Sequence, residues 1–434
     1  MMAFFLTLTS RRFDVKVALV GFGTVGQSVA RILCDKPREG LSLSLICNRR
    51  VERKIVDWVP GHVVWTSTFE DVLRSDADVV IEVIGGSDPA VDWIRRSLKC
   101  GKSVVTANKQ VIARDGISLM HYAREQKRHL LFEAAVAGGI PIIRGVQTGL
   151  SGDRLTKLFG LLNGTCNYIL TRMESGQLSF NEALQEAQDL GYAESDPSAD
   201  VDGYDAQAKL AILSAVGLEC PVEVAAIPVH SIRPVESVDF NYAQRLGCSI
   251  RQVSRAELLE TDPHRVRASV QPMLVAKNSV LGRTVGSQNV VVVTGARGGE
   301  TAFSGFGAGG DPTAVAVVSD LVALARGGEV SVAWPTGGDT QDIEIEFMAS
   351  HYVRFVVVDR PGIIAELAEV FARHDVNFDS VLQEPGWSKS ELPFVVTLER
   401  CSSRAVREAI LEIAALDFHA RQAVWMPILT SGKS

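Results

Sequence analysis

Short apolar runs alternate with amphipathic stretches over the first third of the chain. Five runs have the length of strands: residues 15–20, 43–46, 79–84, 103–106 and 130–132. Between them, apolar positions recur every three to four residues, which is the period of a helix. Strands that alternate with helices at this spacing form a parallel sheet covered on both faces. We therefore predict an α/β domain over residues 14–149, a Rossmann-like doubly wound parallel sheet.

Strands and helices are mixed from residue 150 to 310, which predicts an α+β domain. Ser179 and Glu182 have the spacing of a capping box, and the helix that they begin should end at Gly191. Asp200 stands where it could cap the next long helix, whose apolar positions have a period of 3.6 residues.

The last part of the chain has a third pattern. A helix predicted over about 313–325 leads into a glycine-rich connector, and the order strand, helix, strand, strand, helix, strand follows from about residue 350. That order is typical of a ferredoxin-like βαββαβ unit. We therefore divide the chain into residues 14–149, 150–310, a return helix and linker over 311–338, and 350–434.

Composition narrows the class of protein. The chain has 434 residues, 46% of them hydrophobic, as expected for two to four globular domains. A net charge of −7 without a long basic run argues against nucleic-acid binding. The apolar residues 1–8 are too short to span a bilayer and lack the positive charge of a signal peptide, so we interpret them as an N-terminal extension. We expect no membrane association.

Cysteine and histidine spacing indicates the compartment and argues against one kind of site. The seven cysteines are scattered singly, and the eight histidines have no H-x-x-x-H spacing. Unpatterned cysteines in a chain of this length are typical of reduced thiols, so we expect a cytoplasmic protein. A transition-metal site has no support.

A glycine-rich hexapeptide directly follows the first predicted strand. It comprises Gly21, Phe22, Gly23, Thr24, Val25 and Gly26. In G-x-G-x-x-G the first glycine allows a tight turn, the second admits a pyrophosphate and the third lets the helix pack against the strand. A plain glycine-rich turn is the alternative, but the position between the first strand and the first helix favours dinucleotide binding.

The second predicted strand ends without the carboxylate that selects NAD. That acid normally lies about 20 residues after the glycine loop and binds the ribose hydroxyls. Here the strand leads into Asn48, Arg49 and Arg50. An arginine at this point can bind a 2′-phosphate, which favours NADP(H) and leaves NAD(H) as the second choice. The alternative is that both arginines lie on a solvated loop.

Four further stretches carry a family resemblance. They are Ala-Asn-Lys at 107–109, EAAVAGGIPII at 133–143, LLNGTCNYIL at 161–170 and LGYAESDPSADVDGYDAQAKL at 190–210. Together they resemble homoserine dehydrogenases over nearly the whole chain. The resemblance implies a monofunctional enzyme that interconverts L-homoserine and L-aspartate 4-semialdehyde with NAD(P), in threonine, methionine and isoleucine biosynthesis. The rivals are a dehydrogenase of another amino alcohol or semialdehyde, and a non-catalytic amino-acid sensor.

The resemblance also implies the catalytic group. Hydride transfer between an alcohol and an aldehyde needs a group that exchanges a proton with the substrate oxygen. In the family this group matches Lys209, with Asp205 one helical turn before it and Asp202 on the same stripe. Lys109 is the candidate cation that would lower the pKa of Lys209. On spacing alone, a surface i, i+4 ion pair explains Asp205 and Lys209 equally well.

Other residues take roles only through the resemblance. The substrate pocket would be formed by Glu194, Asp205, Asp200, Gly164, Thr165 and Tyr192. Gly191 and Gly309, with Gly307, would approach the cofactor, and a sodium ion would be bound by Glu133, Val136, Gly138 and Ile140. The alternatives are caps or solvated loops for the acids, a glycine bend for the cation segment and a helix-start loop for Gly307 and Gly309.

Residues 351–384 resemble an ACT domain, a small regulatory fold of amino-acid metabolism. The strand-to-helix loop Asp359-Arg360-Pro361-Gly362, together with Asn377, would bind an amino acid across a pair of domains. Threonine follows from the pathway as the effector. The alternative is an ACT domain that only dimerises. Either way the resemblance implies a homo-oligomer, a dimer or a tetramer.

Overall fold

The computed structural model describes residues 14–35, 40–262, 265–327, 332 and 340–429. The chain divides into two compact units. Unit 1 contains the described residues of Met1–Arg154, Ala211–Val224 and Gly305–Thr340, and unit 2 those of Leu155–Leu210, Ala225–Ser304 and Gln341–Ser434. The predicted N-terminal extension at 1–8 and nearly all of the connector at 327–338 lie outside the described residues.

The strands of the described residues are β1 (Val15–Val20), β2 (Leu41–Cys47), β3 (Val64–Thr66), β4 (Val79–Glu82), β5 (Ser103–Thr106), β6 (Leu130–Leu131), β7 (Leu155–Leu161), β8 (Cys248–Leu258), β9 (Val266–Ala276), β10 (Gln288–Gly295), β11 (Gly299–Phe306), β12 (Ile343–Glu344), β13 (Met348–Val357), β14 (Phe378–Gln383), β15 (Leu392–Ser402) and β16 (His419–Leu429).

The helices are α1 (Thr24–Asp35), α2 (Phe69–Arg74), α3 (Ala90–Lys99), α4 (Lys109–Glu125), α5 (Ile142–Arg144), α6 (Gly164–Gly176), α7 (Phe180–Asp189), α8 (Ser198–Val201), α9 (Tyr204–Gly217), α10 (Ser237–Arg245), α11 (Val280–Arg283), α12 (Gly310–Ala325), α13 (Ile363–Arg373) and α14 (Ser403–Ile413). None of these helices has the length and apolar character needed to cross a membrane.

Unit 1 is built on a six-stranded parallel sheet in the order β3-β2-β1-β4-β5-β6. Its strands are almost entirely buried, as strands covered by helices on both faces must be. The chain order reverses beside β1, between β2 and β4. In such sheets the crevice at this switch point, beyond the carboxyl ends of the strands, is where ligands bind. The predicted doubly wound sheet is confirmed.

Unit 2 contains a mixed sheet in the order β11-β10-β7-β8-β9-β16-β13-β15-β14, with β12 paired to β9. The last four strands and two helices form the predicted βαββαβ unit. This unit continues the sheet of the middle region, because Ile428 and Leu429 of β16 pair in parallel with β9. Its Tyr352, Val395 and Met426 also belong to one hydrophobic core with residues of α6 and α10.

Two local predictions in the middle region have different outcomes. The capping box is confirmed: Ser179 Oγ accepts from Glu182 N (3.3 Å), and the Glu182 carboxylate accepts from Ser179 N (2.8 Å). The prediction that Asp200 caps the long helix is wrong. Asp200 lies inside α8, and Gly203, with φ of +92°, separates it from α9.

Candidate active site

The glycine loop between β1 and α1 has one open side. Gly21 has φ of +104°, and a β carbon there would lie 2.8 Å from the oxygen of Val83. A β carbon on Gly26 would lie 2.1 Å from the oxygen of Gly21. Both positions therefore exclude a side chain. A β carbon on Gly23 would meet no atom within 4 Å, so the exposed backbone there is open to a ligand.

Two helices of unit 1 begin beside this loop. A β carbon on Gly310, in the first turn of α12, would lie 2.8 Å from Ser28 Oγ and 3.0 Å from a methyl carbon of Thr24 in α1. Gly309, with φ of +118°, is the N-cap of α12. The first N–H groups of a helix lack partners within it and carry positive partial charge. Two such ends side by side favour an anionic group such as a pyrophosphate.

The loop after β2 is tied to the glycine loop. Asn48 Oδ1 accepts from Phe22 N (3.2 Å), and Asn48 N donates to Thr66 O (2.9 Å). Arg49 and Arg50 follow directly and are exposed. The structure thus places two exposed guanidinium groups on the segment next to the glycine loop, where the sequence predicts phosphate recognition.

An aromatic cluster supports the same loop. The ring of Phe22 is 1% exposed and packs against Trp58 and Trp65, with ring centres 6.0 and 4.9 Å away. The guanidinium of Arg31 lies 4.3 Å from the ring centre of Trp58. Neither tryptophan belongs to a motif, so neither was expected at this site from the sequence.

Lys109 lies at the first turn of α4, directly after β5. Asn108 caps this helix, since its Oδ1 accepts from Val111 N (3.3 Å). Thr106 donates to the carboxylate of Glu82 (2.5 Å), and burial raises the pKa of Glu82. Glu82 and Asn108 had no predicted role. They fix the carboxyl ends of β4 and β5, from which Lys109 emerges half-buried.

Asp205 and Lys209 form a buried pair one turn apart in α9. Lys209 Nζ donates to Asp205 Oδ2 (2.8 Å) and to Leu162 O (2.8 Å), and each residue is 8% exposed. The surface ion pair that spacing alone allowed is therefore excluded. The third ammonium hydrogen has no acceptor among the described residues of the chain, which leaves one donor position for a substrate oxygen.

Asn163 joins the candidate acids. Its Nδ2 donates to Asp200 Oδ1 (2.6 Å) and to Asp205 Oδ2 (2.9 Å), while its Oδ1 accepts from Cys166 N (2.8 Å) and caps α6. The structure thus brings Asp200, Asp205 and Lys209 together. Asn163 stands inside the family-like stretch 161–170, but it had no predicted role.

Asp202 is separate from this group. It follows α8, and its carboxylate accepts from Arg233 Nε (2.9 Å) and Ser231 Oγ (2.7 Å). The hydrogen bond from Arg233 holds the pKa of Asp202 below its usual value. The prediction that Asp202 shares a helix stripe with Asp205 is wrong, because the turn at Gly203 ends α8 before α9 begins.

Thr165 and Tyr192 are in direct contact. Thr165 Oγ1 donates to Tyr192 O (2.7 Å), and the Tyr192 ring lies 4.8 Å from that of Tyr168. Gly164 excludes a side chain, because a β carbon would lie 2.7 Å from the oxygen of Ser287.

Gly191 and Glu194 lie on the exposed loop after α7. Gly191 has φ of +75°, which favours glycine there. The Glu194 carboxylate has no hydrogen-bond or ion-pair partner within the described parts of the chain, and its backbone oxygen accepts from Gln188 (3.0 Å). It is therefore free to bind a ligand.

Glu133 belongs to a buried polar cluster of unit 1. Its carboxylate accepts from Ile143 N (2.8 Å) and Arg144 N (2.9 Å), and burial raises its pKa. Its own N–H donates to Asp320 (3.0 Å), which also pairs with Arg144 (2.7 Å). Burial and the Glu133 charge raise the pKa of Asp320 to about 7, despite the arginine. Asp320 and Arg144 had no predicted role.

The rest of the candidate cation segment is a bend. Gly138 has φ of +52°, and a β carbon there would lie 2.7 Å from Gly307. Ile140 O accepts from Ile142 N (2.8 Å), whereas the oxygens of Val136 and Gly138 accept no hydrogen bond from the described residues. Nowhere in the described chain do three His, Cys, Asp or Glu side chains form a possible metal site. An oxygen-only donor set suits a hard cation and not a transition metal.

The βαββαβ part of unit 2 contains a cavity of about 480 Å³ beside α13. Its lining includes Asp359, Arg360, Gly362, Ala368 and Gln383. Such a volume lies within the usual range of ligand sites, roughly 300–1,000 Å³. Asn377 does not line this cavity of the single chain, and its side chain donates to Glu399 (3.3 Å). Its expected part in a site across a pair of domains stays a prediction.

The parallel sheet, the glycine loop and the buried lysine–carboxylate pair together define a nicotinamide-dependent oxidoreductase. Three family models match the chain. The model of the homoserine dehydrogenase NAD-binding domain matches residues 21–133, the homoserine dehydrogenase model matches residues 141–322, and the ACT domain model matches residues 351–417. The chain is 35% identical to the homoserine dehydrogenase of Bacillus subtilis over 92% of its own length and 94% of that protein. The chain belongs to the homoserine dehydrogenase family.

Solved structures give the same result. A homoserine dehydrogenase from Thiobacillus denitrificans superposes with a TM-score of 0.88 at 31% identity, covering 96% of this chain and 99% of that one. A hyperthermophilic archaeal homoserine dehydrogenase in complex with NADPH superposes with a TM-score of 0.62 at 27% identity. The superposition covers 74% of this chain and 99% of the archaeal chain.

Proposed function

We propose that Lys209 is the group that exchanges a proton with the substrate oxygen in the homoserine dehydrogenase reaction. The observation that carries this proposal is the buried position of the Lys209 ammonium group. Asp205 and Leu162 accept two of its hydrogens, and the third has no acceptor among the described residues. Two anchors fix the direction of that hydrogen. A fixed donor in a site shielded from water stabilises charge that develops on an oxygen.

When bound, the nicotinamide would supply the hydride for the reduction and accept it in the oxidation. During reduction of L-aspartate 4-semialdehyde, the Lys209 ammonium donates its free hydrogen to the aldehyde oxygen as the carbon gains the hydride. During oxidation of L-homoserine, the neutral amine accepts the hydroxyl proton as the hydride leaves the carbon. Asp205 stabilises the ammonium in either direction.

The substrate is an amino acid and needs a partner for its ammonium group. Glu194, whose carboxylate is free, and Asp200 beside Asp205 are the proposed partners. Gly164, Thr165 and Tyr192 would line the same pocket, because they surround the start of α6 next to Asn163. Lys109 is proposed as a second catalytic cation, and Gly191 as a contact of the nicotinamide.

Lys209→Met tests the mechanism, since methionine has similar length and no donor. We expect turnover to fall by at least the roughly 10²–10⁴-fold that a general acid–base group contributes. Cofactor affinity, measured by fluorescence titration, should stay within twofold. Lys157→Met is the matched control, because Lys157 is an exposed lysine of β7. If Lys209→Met keeps more than a third of normal turnover, Lys209 is not the proton-exchanging group.

NADP(H) is the proposed preferred cofactor, with NAD(H) accepted more weakly. The exposed Arg49 and Arg50 beside the glycine loop support this preference, and the archaeal relative was solved with NADPH. The cofactor's phosphates would lie at residues 21–26 and at Gly309, where α1 and α12 begin.

A monovalent cation, sodium, is proposed at Glu133, Val136, Gly138 and Ile140. The two carbonyl oxygens without hydrogen bonds and the nearby carboxylate support it. Activity measured in sodium, potassium and tetramethylammonium chloride at equal ionic strength tests this site. Equal rates in all three, with no sodium bound in calorimetry, would remove the cation from the proposal.

Threonine is the proposed effector, bound in the cavity beside α13. The contacts of Tyr242 in α10 support an effect on the active site. Its hydroxyl donates to Pro393 O (3.2 Å) and accepts from Glu384 N (3.3 Å), each next in the chain to cavity residues. The segment before α10 holds Asp202 through Ser231 and Arg233, at the start of α9.

We also propose a location and an assembly for the protein. The cytoplasm is the proposed location, in line with seven cysteines that form no disulfide. A homo-oligomer, dimer or tetramer, is the proposed assembly, and analytical ultracentrifugation measures it directly.

A further inference from the structure

Both the oxygen and the nitrogen of the Asn163 side-chain amide are hydrogen-bonded within the protein. The oxygen accepts from Cys166 N at 2.8 Å, and the nitrogen donates to Asp200 at 2.6 Å and to Asp205 at 2.9 Å. The residue is 4% exposed. Because one end faces a helix N–H and the other faces two carboxylates, the amide has a single satisfactory orientation.

This orientation is chemically selective. An aspartate at position 163 would have nearly the same shape and could still cap α6. It would, however, turn an oxygen towards Asp200 and Asp205, where the amide now supplies two donors. The nitrogen of Asn163 therefore also offsets the repulsion between two neighbouring carboxylates.

Asn163 binds one anchor of Lys209 and is adjacent in the chain to the other. Asp205 Oδ2 accepts from Asn163 Nδ2 and from Lys209 Nζ, so the amide fixes the oxygen that binds the ammonium. The second anchor is the carbonyl oxygen of Leu162, which directly precedes Asn163 in the chain and is itself held by Asn289 Nδ2 at 2.9 Å. The β7–α6 junction thus sets the position of Nζ from two sides.

We propose that Asn163 is a positioning residue for the dehydrogenase reaction. It holds Asp205 so that the free hydrogen of Lys209 keeps one direction. The inference rests on the proposed role of Lys209. Asn163 touches no reacting atom, and its effect is exerted through the Asp205–Lys209 pair.

Asn163→Asp tests this role, because it keeps the cap and the shape, removes the two donors and adds a negative charge beside Asp200 and Asp205. We expect turnover to fall on the order of 10- to 100-fold, as misplacement of a catalytic group does. The pH–rate profile for homoserine oxidation should move to higher pH, since a third carboxylate favours the charged form of Lys209. Asn163→Ser keeps a capping oxygen without adding charge, so its turnover should fall without that upward shift.

A purely structural role predicts a different result. Ser279→Ala removes another helix cap of unit 2, on α11, and should lower only the unfolding temperature. If both Asn163 variants behave like Ser279→Ala, with normal turnover per folded enzyme and an unchanged pH profile, the inference is overturned. An inactive Lys209→Met beside a normal Asn163→Asp would reject this inference alone, whereas an active Lys209→Met would reject the proposed proton-exchanging group.

Discussion

Asp239 of α10 and Arg354 of β13 form an ion pair that is closed to solvent, with Arg354 Nε 2.7 Å from Asp239 Oδ1. Their side chains are 0% and 1% exposed. Tyr352 donates to the same carboxylate oxygen (2.7 Å), and Arg354 also donates to Pro234 O (2.9 Å). The pair therefore joins the ACT strands to the helix that precedes β8.

Removing Asp239 should destabilise unit 2 strongly. Asp239→Ala leaves the buried Arg354 charge with only the partly exposed Glu236, 3.2 Å away, as an ion-pair partner. Breaking a buried pair in this way typically costs about 3–5 kcal/mol of unfolding free energy. Urea unfolding measures the loss. Glu369→Gln is the control, because it breaks the exposed Glu369–Arg373 pair, worth at most about 1 kcal/mol. Similar losses in the two variants would contradict the importance of burial.

Replacing Arg49 and Arg50 by alanine should change cofactor preference. The expected result is a loss of NADP(H) affinity of at least tenfold, or about 1.4 kcal/mol, with NAD(H) affinity nearly unchanged. Only the 2′-phosphate carries the charge that these guanidinium groups would bind. Arg53→Ala, three residues further along the chain, is the control. A wild-type enzyme that uses NAD(H) alone would refute the prediction.

Filling the cavity beside α13 should abolish the threonine response without loss of catalysis. Ala368→Trp occupies the cavity, whereas Ala372→Trp places the same side chain on the exposed part of the same helix. Effector coupling is usually about 1–3 kcal/mol, so a several-fold effect of threonine on homoserine kinetics should disappear only in Ala368→Trp. If calorimetry detects no amino-acid binding to the wild-type protein, the effector proposal fails.

Point substitutions test the role of the βαββαβ part of unit 2 better than its removal does. From the sequence alone, residues 350–434 are expected to form a module distinct from the catalytic region. In the structure β16 pairs with β9, and Tyr352, Val395 and Met426 belong to the core under α6 and α10. Truncation near residue 338 should therefore unfold unit 2, and circular dichroism would register the loss.

The free energy of unfolding should fall as the pH is lowered, because His351 is buried in its neutral form. This side chain accepts from Trp425 Nε1 (3.0 Å) and faces Cys401 O (3.3 Å), and burial lowers its pKa to about 4. The unfolded chain binds a proton near pH ~6.5. Between these values only the unfolded state is protonated, so this contribution is intact above pH ~6.5 and lost progressively down to about pH 4.

The difference between wild-type protein and His351→Gln isolates this titration. Urea unfolding at intervals from pH 4 to 7 should give the wild type a steeper fall towards acid than the variant. His62→Gln, at an exposed position, is the control and should leave the slope unchanged. Parallel curves for wild type and His351→Gln would exclude His351 as the source.

Elements whose information is local were predicted closely. β1 and β5 have the predicted bounds, because short runs rich in valine leave a buried strand as the favourable structure. The capping box at Ser179 and the glycine loop at Gly21 were also predicted, since each acts through neighbours within a few residues. Helix α12 begins at Gly310, before the predicted start near 313, because its first turn packs against Ser28 and Thr24.

By itself, the sequence determined the order of the elements, the doubly wound sheet, the dinucleotide loop and the family to which the chain belongs. Only the tertiary structure decided which polar groups meet. Glu133 and Asp320 are 187 positions apart, Asp239 and Arg354 are 115 apart, and Asn163 is 42 from Asp205. Each is buried and must find a partner, since an unpaired polar group inside a protein is costly. Periodicity tells which positions are buried, but the partner of each is set by how distant segments pack together.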